Sequence, residues 1–458
     1  MRCALLSAGL ATALLPSPVA AEPRQPWTLH QALGSPENWT ISGSLRARYE
    51  KVEGQFRPGL NARDDIVLIR ASLFAEYDAG PVRIGGELID SRAYDTDPGG
   101  PVGTGEVNTL EPVQAYIGFD LDDALGKDSR SSLTLGRLTM DLGSRRLIGR
   151  NNFRNTTNAF TGARFAYAGA GGDSLTLFYT LPHNRLPSDK ESILDNEVQW
   201  DDESNALTFW GGFYTRPDLI GGVSGDFYLF ALDEDDRHNF PTRDRKLFTP
   251  GLRLFKDPKA SRLDLEFEAA LQFGDIRSGI ASDAAKQDVS AHFLHAEIGY
   301  TFPGAWRPRL AFEYDVASGD GAGGDFGRFD SLYGVRRPDY GPTSIYGPLG
   351  RSNISSPGVR LEVKPDERWD GFLFYRAAWL DERSDSFAST GVRDPQGASG
   401  GFGGHQIEAR ARYWVVPKLL KLDVGGAWLV KGGFLENAPN ANPSGNTRYF
   451  YVDLTASF

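Results

Sequence analysis

The stretch Leu263-Asp-Leu-Glu-Phe-Glu-Ala-Ala-Leu-Gln-Phe273 alternates apolar and polar side chains with a period of two. Its odd-numbered positions are all apolar, whereas positions 264, 266 and 268 are acidic. Successive side chains of a β-strand point to opposite faces, so this pattern predicts a strand with one apolar and one charged face. The run is longer than the roughly five or six residues usual for a strand, and it has the length of a tilted strand that crosses a bilayer.

The same alternation recurs from residue 40 to the last residue, and helical spacing of apolar residues is almost absent. An open sheet edge in hydrocarbon leaves backbone groups unpaired, so the sheet must close. We therefore predict an all-β fold, a single closed antiparallel transmembrane β-barrel of about 18 strands over residues 22–458. The predicted strands lie near 40–51, 65–78, 82–92, 110–120, 132–141, 161–168, 173–181, 206–216, 222–232, 247–256, 262–274, 290–301, 306–317, 353–364, 370–381, 404–416, 418–430 and 448–458.

The connections between these strands alternate in length. Longer polar stretches such as 93–109 and 318–352 are followed by tight turns such as Ala79-Gly80-Pro81 and Val416-Pro417. Long outer loops and short periplasmic turns are typical of outer-membrane barrels, and an even strand number places both chain ends in the periplasm. The predicted location is the bacterial outer membrane.

Both ends of the sequence carry targeting features. Arg2, an apolar stretch over 4–15 and small residues up to Ala21 are typical of a secretory signal peptide, so we expect residues 1–21 to be cleaved off. The final segment alternates and ends on Phe458. It looks like the C-terminal strand that the barrel-assembly machinery recognises, and the alternative is an ordinary terminal strand.

Composition excludes several classes of protein. The chain has 458 residues, 12% of them aromatic, a single Cys and a formal charge of −11. A disordered chain has fewer aromatic residues, and a disulfide scaffold has more cysteines. The acidic balance argues against a nucleic-acid partner, since such partners require a basic face. No run of about 18 apolar residues exists downstream of the signal, which excludes a helical membrane protein.

No catalytic or cofactor motif stands out. The six histidines form no metalloprotease or other metal-site spacing. His292 and His295 are three residues apart, which on a strand places them on opposite faces and makes them poor co-ligands. The acidic run 233–236 offers the oxygen ligands that Ca²⁺ prefers, but a solvated loop tip explains it better. We therefore predict no enzyme, no metal and no cofactor.

Arginines are frequent on the predicted lumen face. Alternation places Arg46, Arg48, Arg410 and Arg412 on the polar side of their strands, with carboxylates on neighbouring strands. A ring of guanidinium groups selects anions, because it replaces lost hydration with fixed donors and offers bidentate contacts to carboxylates. The alternative is that these charges pair around the wall and only stiffen it.

The densest basic cluster lies over residues 136–164, mostly in a predicted outer loop. Such a loop can fold into the pore and carry a selectivity patch, or it can rest on lipopolysaccharide phosphates. The arginines of the cluster are Arg137, Arg145, Arg146, Arg150, Arg154 and Arg164.

The same cluster resembles the core motif of the alginate export family of outer-membrane barrels. The order is Gly136-Arg137, then Arg145-Arg146-Leu-Ile-Gly149, then Arg154-Asn-Thr156 and Gly162-Ala-Arg164. Segments 315–320, 329–333 and 404–414 are similar to later parts of the family. The resemblance implies an 18-stranded barrel with an arginine-lined conduit for a polyuronate, and it implies pore or loop roles for Arg137, Arg146 and Arg164.

These observations favour an outer-membrane channel that passes anionic saccharides, such as alginate-like polyuronates or their oligomers, through an arginine-lined pore. Expected partners are the saccharide, outer-membrane lipid, lipopolysaccharide and the barrel-assembly machinery. Three alternatives remain at this stage: a general or small-carboxylate porin, a hydrolase or acyltransferase built on a barrel, and a plugged structural or adhesive barrel.

Overall fold

The computed structural model of the protein describes residues 27–237 and 240–458. The predicted signal at residues 1–21 lies outside the described residues. Within the described ranges, eighteen strands form one antiparallel sheet in which each strand pairs with its neighbours in sequence. The sheet closes where the first strand pairs with the last, from Ser44 opposite Ser457 to Glu53 opposite Arg448. The predicted barrel is confirmed.

The strands are β1 (Trp39–Glu53), β2 (Arg63–Asp78), β3 (Val82–Tyr94), β4 (Asn108–Asp120), β5 (Arg130–Leu138), β6 (Phe160–Ala168), β7 (Ser174–Pro182), β8 (Leu207–Ile220), β9 (Val223–Glu234), β10 (Lys246–Lys256), β11 (Leu263–Arg277), β12 (Lys286–Thr301), β13 (Arg309–Ala317), β14 (Ile354–Val363), β15 (Trp369–Trp379), β16 (Phe402–Val416), β17 (Leu420–Lys431) and β18 (Thr447–Ser457). Four short helices belong to the N-terminal segment or the connections and not to the wall: α1 (Leu29–Ala32), α2 (Lys190–Leu194), α3 (Arg337–Tyr340) and α4 (Gly433–Asn437). None of the helices within the described ranges is long and apolar enough to cross a membrane.

The alternation predicted from β11 is present in the structure. Leu265, Phe267 and Leu271 are exposed on the outer face, whereas Asp264 and Glu268 are buried towards the lumen. Phe312 of β13 is also exposed on the outer face. The apolar side of the wall therefore faces the lipid, as the sequence predicts.

The lumen is not an open tube. The connections 139–159 and 318–353, here called the first and second crossing loops, fold into the barrel and pack on the wall. Tyr333 of the second crossing loop lies against Phe160 and Phe209 of the wall, with ring centroids 5.1 and 5.0 Å apart. A buried apolar cluster therefore fills much of the barrel on the side of the long loops.

Candidate functional site

A cavity of about 570 Å³ lies inside the barrel between the crossing loops and the short-turn rim, and is here called the inner cavity. Ser44 and Ser457, near the strand ends of that rim, belong to its wall. The parts of its wall that the structure describes carry nine arginines and one lysine against three carboxylates. The charged lining residues are Arg46, Arg48, Arg70, Arg145, Arg150, Arg337, Arg360, Arg410, Arg412, Lys421, Glu362, Asp423 and Asp453.

Strand register arranges part of this charge in a row. Lys421 of β17 is opposite Thr455 of β18, Thr455 is opposite Arg46 of β1, and Arg46 is opposite Arg70 of β2. Like charges that are directly opposite on neighbouring strands destabilise a sheet. Three cations on four adjacent strands, with no acid in the row, therefore favour the binding of an anion from the lumen.

The next row towards the long loops has balanced charge. Arg412 is opposite Asp423, Asp423 is opposite Asp453, and Asp453 is opposite Arg48. Arg48 Nε donates to Oδ2 of Asp453 at 2.8 Å, Nη2 lies 2.7 Å from the same oxygen, and both side chains are buried. Such a charge-assisted pair fixes the guanidinium and neutralises it. The second row therefore makes the cavity wall more rigid but adds no net positive charge to it.

Several cations of the inner cavity have no nearby carboxylate, or only a distant one, to neutralise their charge. Arg70, Arg145 and Lys421 form no ion pair with any described residue. Arg410 is 3.7 Å from Asp370 and lies over the ring of Phe372, 4.7 Å from its centroid. The Nε atoms of Arg70 and Arg410 are buried without a hydrogen-bond partner in the described structure. The charges of Arg70, Arg145 and Lys421 therefore remain available to a ligand, whereas the two Nε atoms are too buried for a ligand to reach.

The first crossing loop is held to the wall by Arg46. Its guanidinium donates to the carbonyl oxygens of Asn152 and Arg154 at 2.8 and 2.9 Å and to Oδ1 of Asn155 at 2.9 Å. Asn155 is fully buried, and its Nδ2 donates to carbonyls of the barrel and of its neighbouring loop, including Glu106 O at 2.9 Å. Buried polar groups that are satisfied in this way fix one loop position.

The two crossing loops join across the lumen, and residues 145–155 with 333–340 are here called the partition. Tyr333 N donates to Leu147 O at 3.0 Å and Val335 N donates to Arg145 O at 2.8 Å. Gly334 allows this approach, because a Cβ there would overlap the carbonyl oxygen of Arg146.

A buried charge cluster ties the partition to the wall. Arg146 donates to both carboxylate oxygens of Asp339 at 3.1 and 3.0 Å and to Glu268 of β11 at 2.8 Å. Arg351 contacts Asp339 as well. Burial alone would raise the pKa of Asp339, but Arg146 and Arg351 hold this pKa well below its usual value.

The predicted pore arginines occupy different places. Arg46, Arg48, Arg145, Arg150, Arg410 and Arg412 line the inner cavity, and Arg150 is paired with Glu87 at 2.7 Å. Arg137, Arg146, Arg154 and Arg164 do not line it. Arg137 pairs with Glu111 and Glu203, and Arg146 is part of the partition. A role of any of these residues in permeation stays a prediction.

Other cavity cations were not among the predicted site residues. The alternation of apolar and polar residues in their strands places Arg70, Arg360 and Lys421 on the polar, lumen-facing side. The sequence could therefore have indicated them. Arg337 lies in a loop and had no sequence signal. It contacts Glu408 and lies over the ring of Phe153, 4.9 Å from the centroid. Only the fold of the second crossing loop brings it to the cavity.

One group of possible metal ligands exists among the described residues: Glu111, His183 and Asp201, whose ligand atoms lie within 4.8 Å of one another. Their oxygens already accept protein donors. Asn108 donates to both oxygens of Asp201 at 3.0 Å, and Arg137 donates to Glu111. A cation would have to compete with the arginine, so we assign no metal to this group.

Comparison with known proteins gives the following matches. The sequence model of the alginate export family matches residues 38–447. The crystal structure of OccK8 (OprE) from Pseudomonas aeruginosa is 14% identical, with 92% of this chain and 98% of that chain covered and a TM-score of 0.57. OccAB3 from Acinetobacter baumannii is 11% identical, with 92% and 99% covered and a TM-score of 0.58. At these identities the likeness concerns the fold. Among curated proteins, no match to the sequence is found.

Proposed function

Because this chain belongs to the alginate export family, we propose that its outer-membrane channel passes anionic saccharides, alginate-like polyuronates or their oligomers. The observation that carries this proposal is the set of inner-cavity cations without an ion pair among the described residues, Arg70, Arg145 and Lys421. We propose that the protein transports its substrate and does not act on it as an enzyme.

The arrangement of the cations suggests how a carboxylate-rich chain is held and released. Lys421, Arg46 and Arg70 form one row, and Arg410 lies further along β16. A carboxylate that leaves water gains charge-assisted hydrogen bonds from one of these groups and then from the next. Arg70 and Lys421 are partly exposed to the lumen, so contacts with these two groups stay weak enough for release.

A small-carboxylate channel is the alternative that the structure also supports. The partition fills part of the lumen, and the inner cavity has a volume of only about 570 Å³. A monovalent carboxylate needs one cation, whereas an oligouronate contacts several at once and is held longer. Block by an oligouronate, compared with permeation by acetate, separates the two substrates. Contacts with lipopolysaccharide and recognition of β18 by the barrel-assembly machinery remain proposals as well.

The test is a reversal-potential measurement on the purified channel in a planar bilayer under a KCl gradient. The wild type should prefer anions, and oligouronate should block its current. The double variant Arg70→Gln, Lys421→Gln should lower the anion-to-cation permeability ratio roughly fivefold, which corresponds to about 1 kcal/mol. The effect should be largest at low salt, where screening is least.

The matched control is the double variant Lys51→Gln, Lys364→Gln, which also removes two positive charges. Both lysines are exposed and pair with Glu53 and Glu367 outside the inner cavity. Its selectivity should equal that of the wild type. A cation-selective wild type, or equal selectivity in both double variants, would contradict the proposal.

A further inference from the structure

A second cavity of about 470 Å³ lies on the other side of the partition, among the long loops, and is here called the outer cavity. Arg154, Arg185 and Arg336 belong to its wall, together with the imidazole-bearing His183. Its described wall contains no aspartate or glutamate. The wall of the outer cavity is therefore positively charged, like that of the inner cavity, although loops form most of it.

The partition presents consecutive side chains to the two cavities. Phe153 lines the inner cavity and Arg154 the outer one, while Arg337 lines the inner cavity and Arg336 the outer one. Both crossing loops thus place one arginine on the side of the long loops. Because these loops are hydrogen-bonded to each other through Tyr333 and Val335, the two arginines are held in fixed positions.

The three guanidinium groups have no ion-pair partner in the described part of the chain. Arg185 is positioned by neutral acceptors, with Nε 3.0 Å from Thr104 O and Nη1 2.9 Å from Oδ1 of Asn158. Arg336 donates to Oγ of Ser389. These contacts fix the cations but do not neutralise them, so a net positive charge remains in the cavity.

The three charges also repel one another. Burial, together with the charges of Arg154 and Arg57, lowers the pKa of Arg336 to about 9. Burial, together with the charge of Arg154, lowers the pKa of Arg185 to about 10. All remain protonated at neutral pH. Glu106, a buried acid whose charge acts on Arg154 and Arg336, offsets part of this repulsion from behind the wall.

In a neighbouring cavity some of the loop arginines are paired with acids. It has a volume of about 560 Å³, shares Ser331 and Ser389 with the outer cavity, and contains Glu234 and Asp330 in its wall. There Arg245 pairs with both acids, at 2.7 and 2.6 Å. Paired charges of this kind stiffen loops, whereas the unpaired set of the outer cavity is suited to an anionic ligand.

We propose that Arg154, Arg185 and Arg336 form a second binding site for a uronate carboxylate, in series with the inner cavity and separated from it by the partition. This inference rests on the proposed function, because the ligand is a segment of the same anionic saccharide. A chain that enters from the long-loop rim contacts this site before it reaches the partition, and a chain leaving by that rim contacts it last. A short oligouronate therefore binds on both sides of the partition.

The test measures block by a trimeric oligouronate added to one side of the bilayer at a time. The triple variant Arg154→Gln, Arg185→Gln, Arg336→Gln keeps side-chain donors and removes the charges. Block from the long-loop side should need about tenfold more oligouronate, which corresponds to the loss of about 1.4 kcal/mol. Block from the short-turn side should stay within twofold of the wild type, since the inner cavity is intact.

Two further variants control for charge and for folding. Arg243→Gln removes one positive charge from the neighbouring cavity and should leave block from both sides unchanged. The triple variant Arg154→Lys, Arg185→Lys, Arg336→Lys keeps the charges and should restore most of the block. Heat-modified migration of each variant on a denaturing gel shows that its barrel has folded.

The outcomes separate this inference from the proposed function. If the wild type is blocked by oligouronate and the Gln triple variant is blocked equally from the long-loop side, the outer site is refuted and the proposed function stands. If the wild type is blocked from neither side, both are refuted. If the Gln triple variant loses block from both sides to the same degree, the outer cavity is not a separate site.

Discussion

Asp453 partly neutralises two arginines of the inner cavity. Its carboxylate is 2.7 Å from Arg48 and 3.7 Å from Arg46. Both arginines also hold the first crossing loop through its carbonyl oxygens, Arg48 by donating to Phe153 O at 2.6 Å. A single residue of β18 therefore sets both the charge of the cavity and the position of the loop above it.

The variant Asp453→Asn should make the channel more anion-selective. It removes one negative charge from the cavity wall but keeps an oxygen that accepts from Arg48. We expect the anion-to-cation permeability ratio to rise roughly fivefold, for about 1 kcal/mol, as measured by reversal potential. The control Glu367→Gln removes a negative charge at a side chain that is 77% exposed in a short turn, and its selectivity should not change. A lower ratio in Asp453→Asn would show that this part of the wall does not face the permeation path.

At the level of single elements, the strands follow the alternation closely, and their ends differ where the loops begin. The predicted strand 132–141 ends at Leu138, because Thr139 to Asp141 turn into the lumen, where Asp141 accepts from Arg150 N at 2.6 Å. The predicted strand 306–317 begins at Arg309, since Phe302 N bonds Pro308 O and closes a turn before it. Alternation defines a strand's faces but carries little information on where a loop leaves the wall.

The outer face of β11 gives a prediction for stability. Leu271 lies near the middle of the strand and is 63% exposed towards lipid, whereas Leu263 is its first residue and is also exposed. Leu271→Arg should destabilise the folded barrel by about 2–4 kcal/mol, and Leu263→Arg by about 0–1 kcal/mol, because the cost of a charge depends on depth in the bilayer. Reversible unfolding in lipid vesicles measures both. Equal costs at the two positions would contradict this placement of β11 in the bilayer.

For the whole molecule, the partition decides whether the barrel is open. Arg146 and Asp339 of the partition are buried together with Arg351 beside it, and Glu268 connects the partition to the wall. Since the folded pKa of Asp339 is held below its ordinary value, its contribution to stability is complete above about pH 5 and is lost only as the pH falls through that low folded value. The partition is therefore expected to keep this contact over the whole neutral range.

The variant Asp339→Asn should loosen the partition. It leaves two buried guanidinium groups with less compensation, and breaking a buried ion pair costs about 3–5 kcal/mol. We expect a larger and noisier single-channel conductance at neutral pH, because the crossing loops then leave the lumen more often. Asp235→Asn, at an exposed residue of the loop after β9, is the control and should conduct like the wild type. An unchanged conductance in Asp339→Asn would mean that ions pass around the partition.

The sequence alone determined the closed barrel, the outward face of each strand and the lumen position of Arg46, Arg48, Arg410 and Arg412. These properties follow from a period of two and from the need to pair every backbone group in lipid. The resemblance in residues 136–164 also indicated the family, which the match over residues 38–447 confirms.

Only the tertiary structure decided which arginines carry uncompensated charge. Arg145 lines the inner cavity and its neighbour Arg146 is neutralised in the partition, and Arg336 and Arg337 face opposite cavities. Arg70 is left without an ion pair because register places it opposite another arginine, Arg46. Whether a charge is paired depends on strand register and on loops that meet across the lumen, and both are long-range properties that local alternation does not encode.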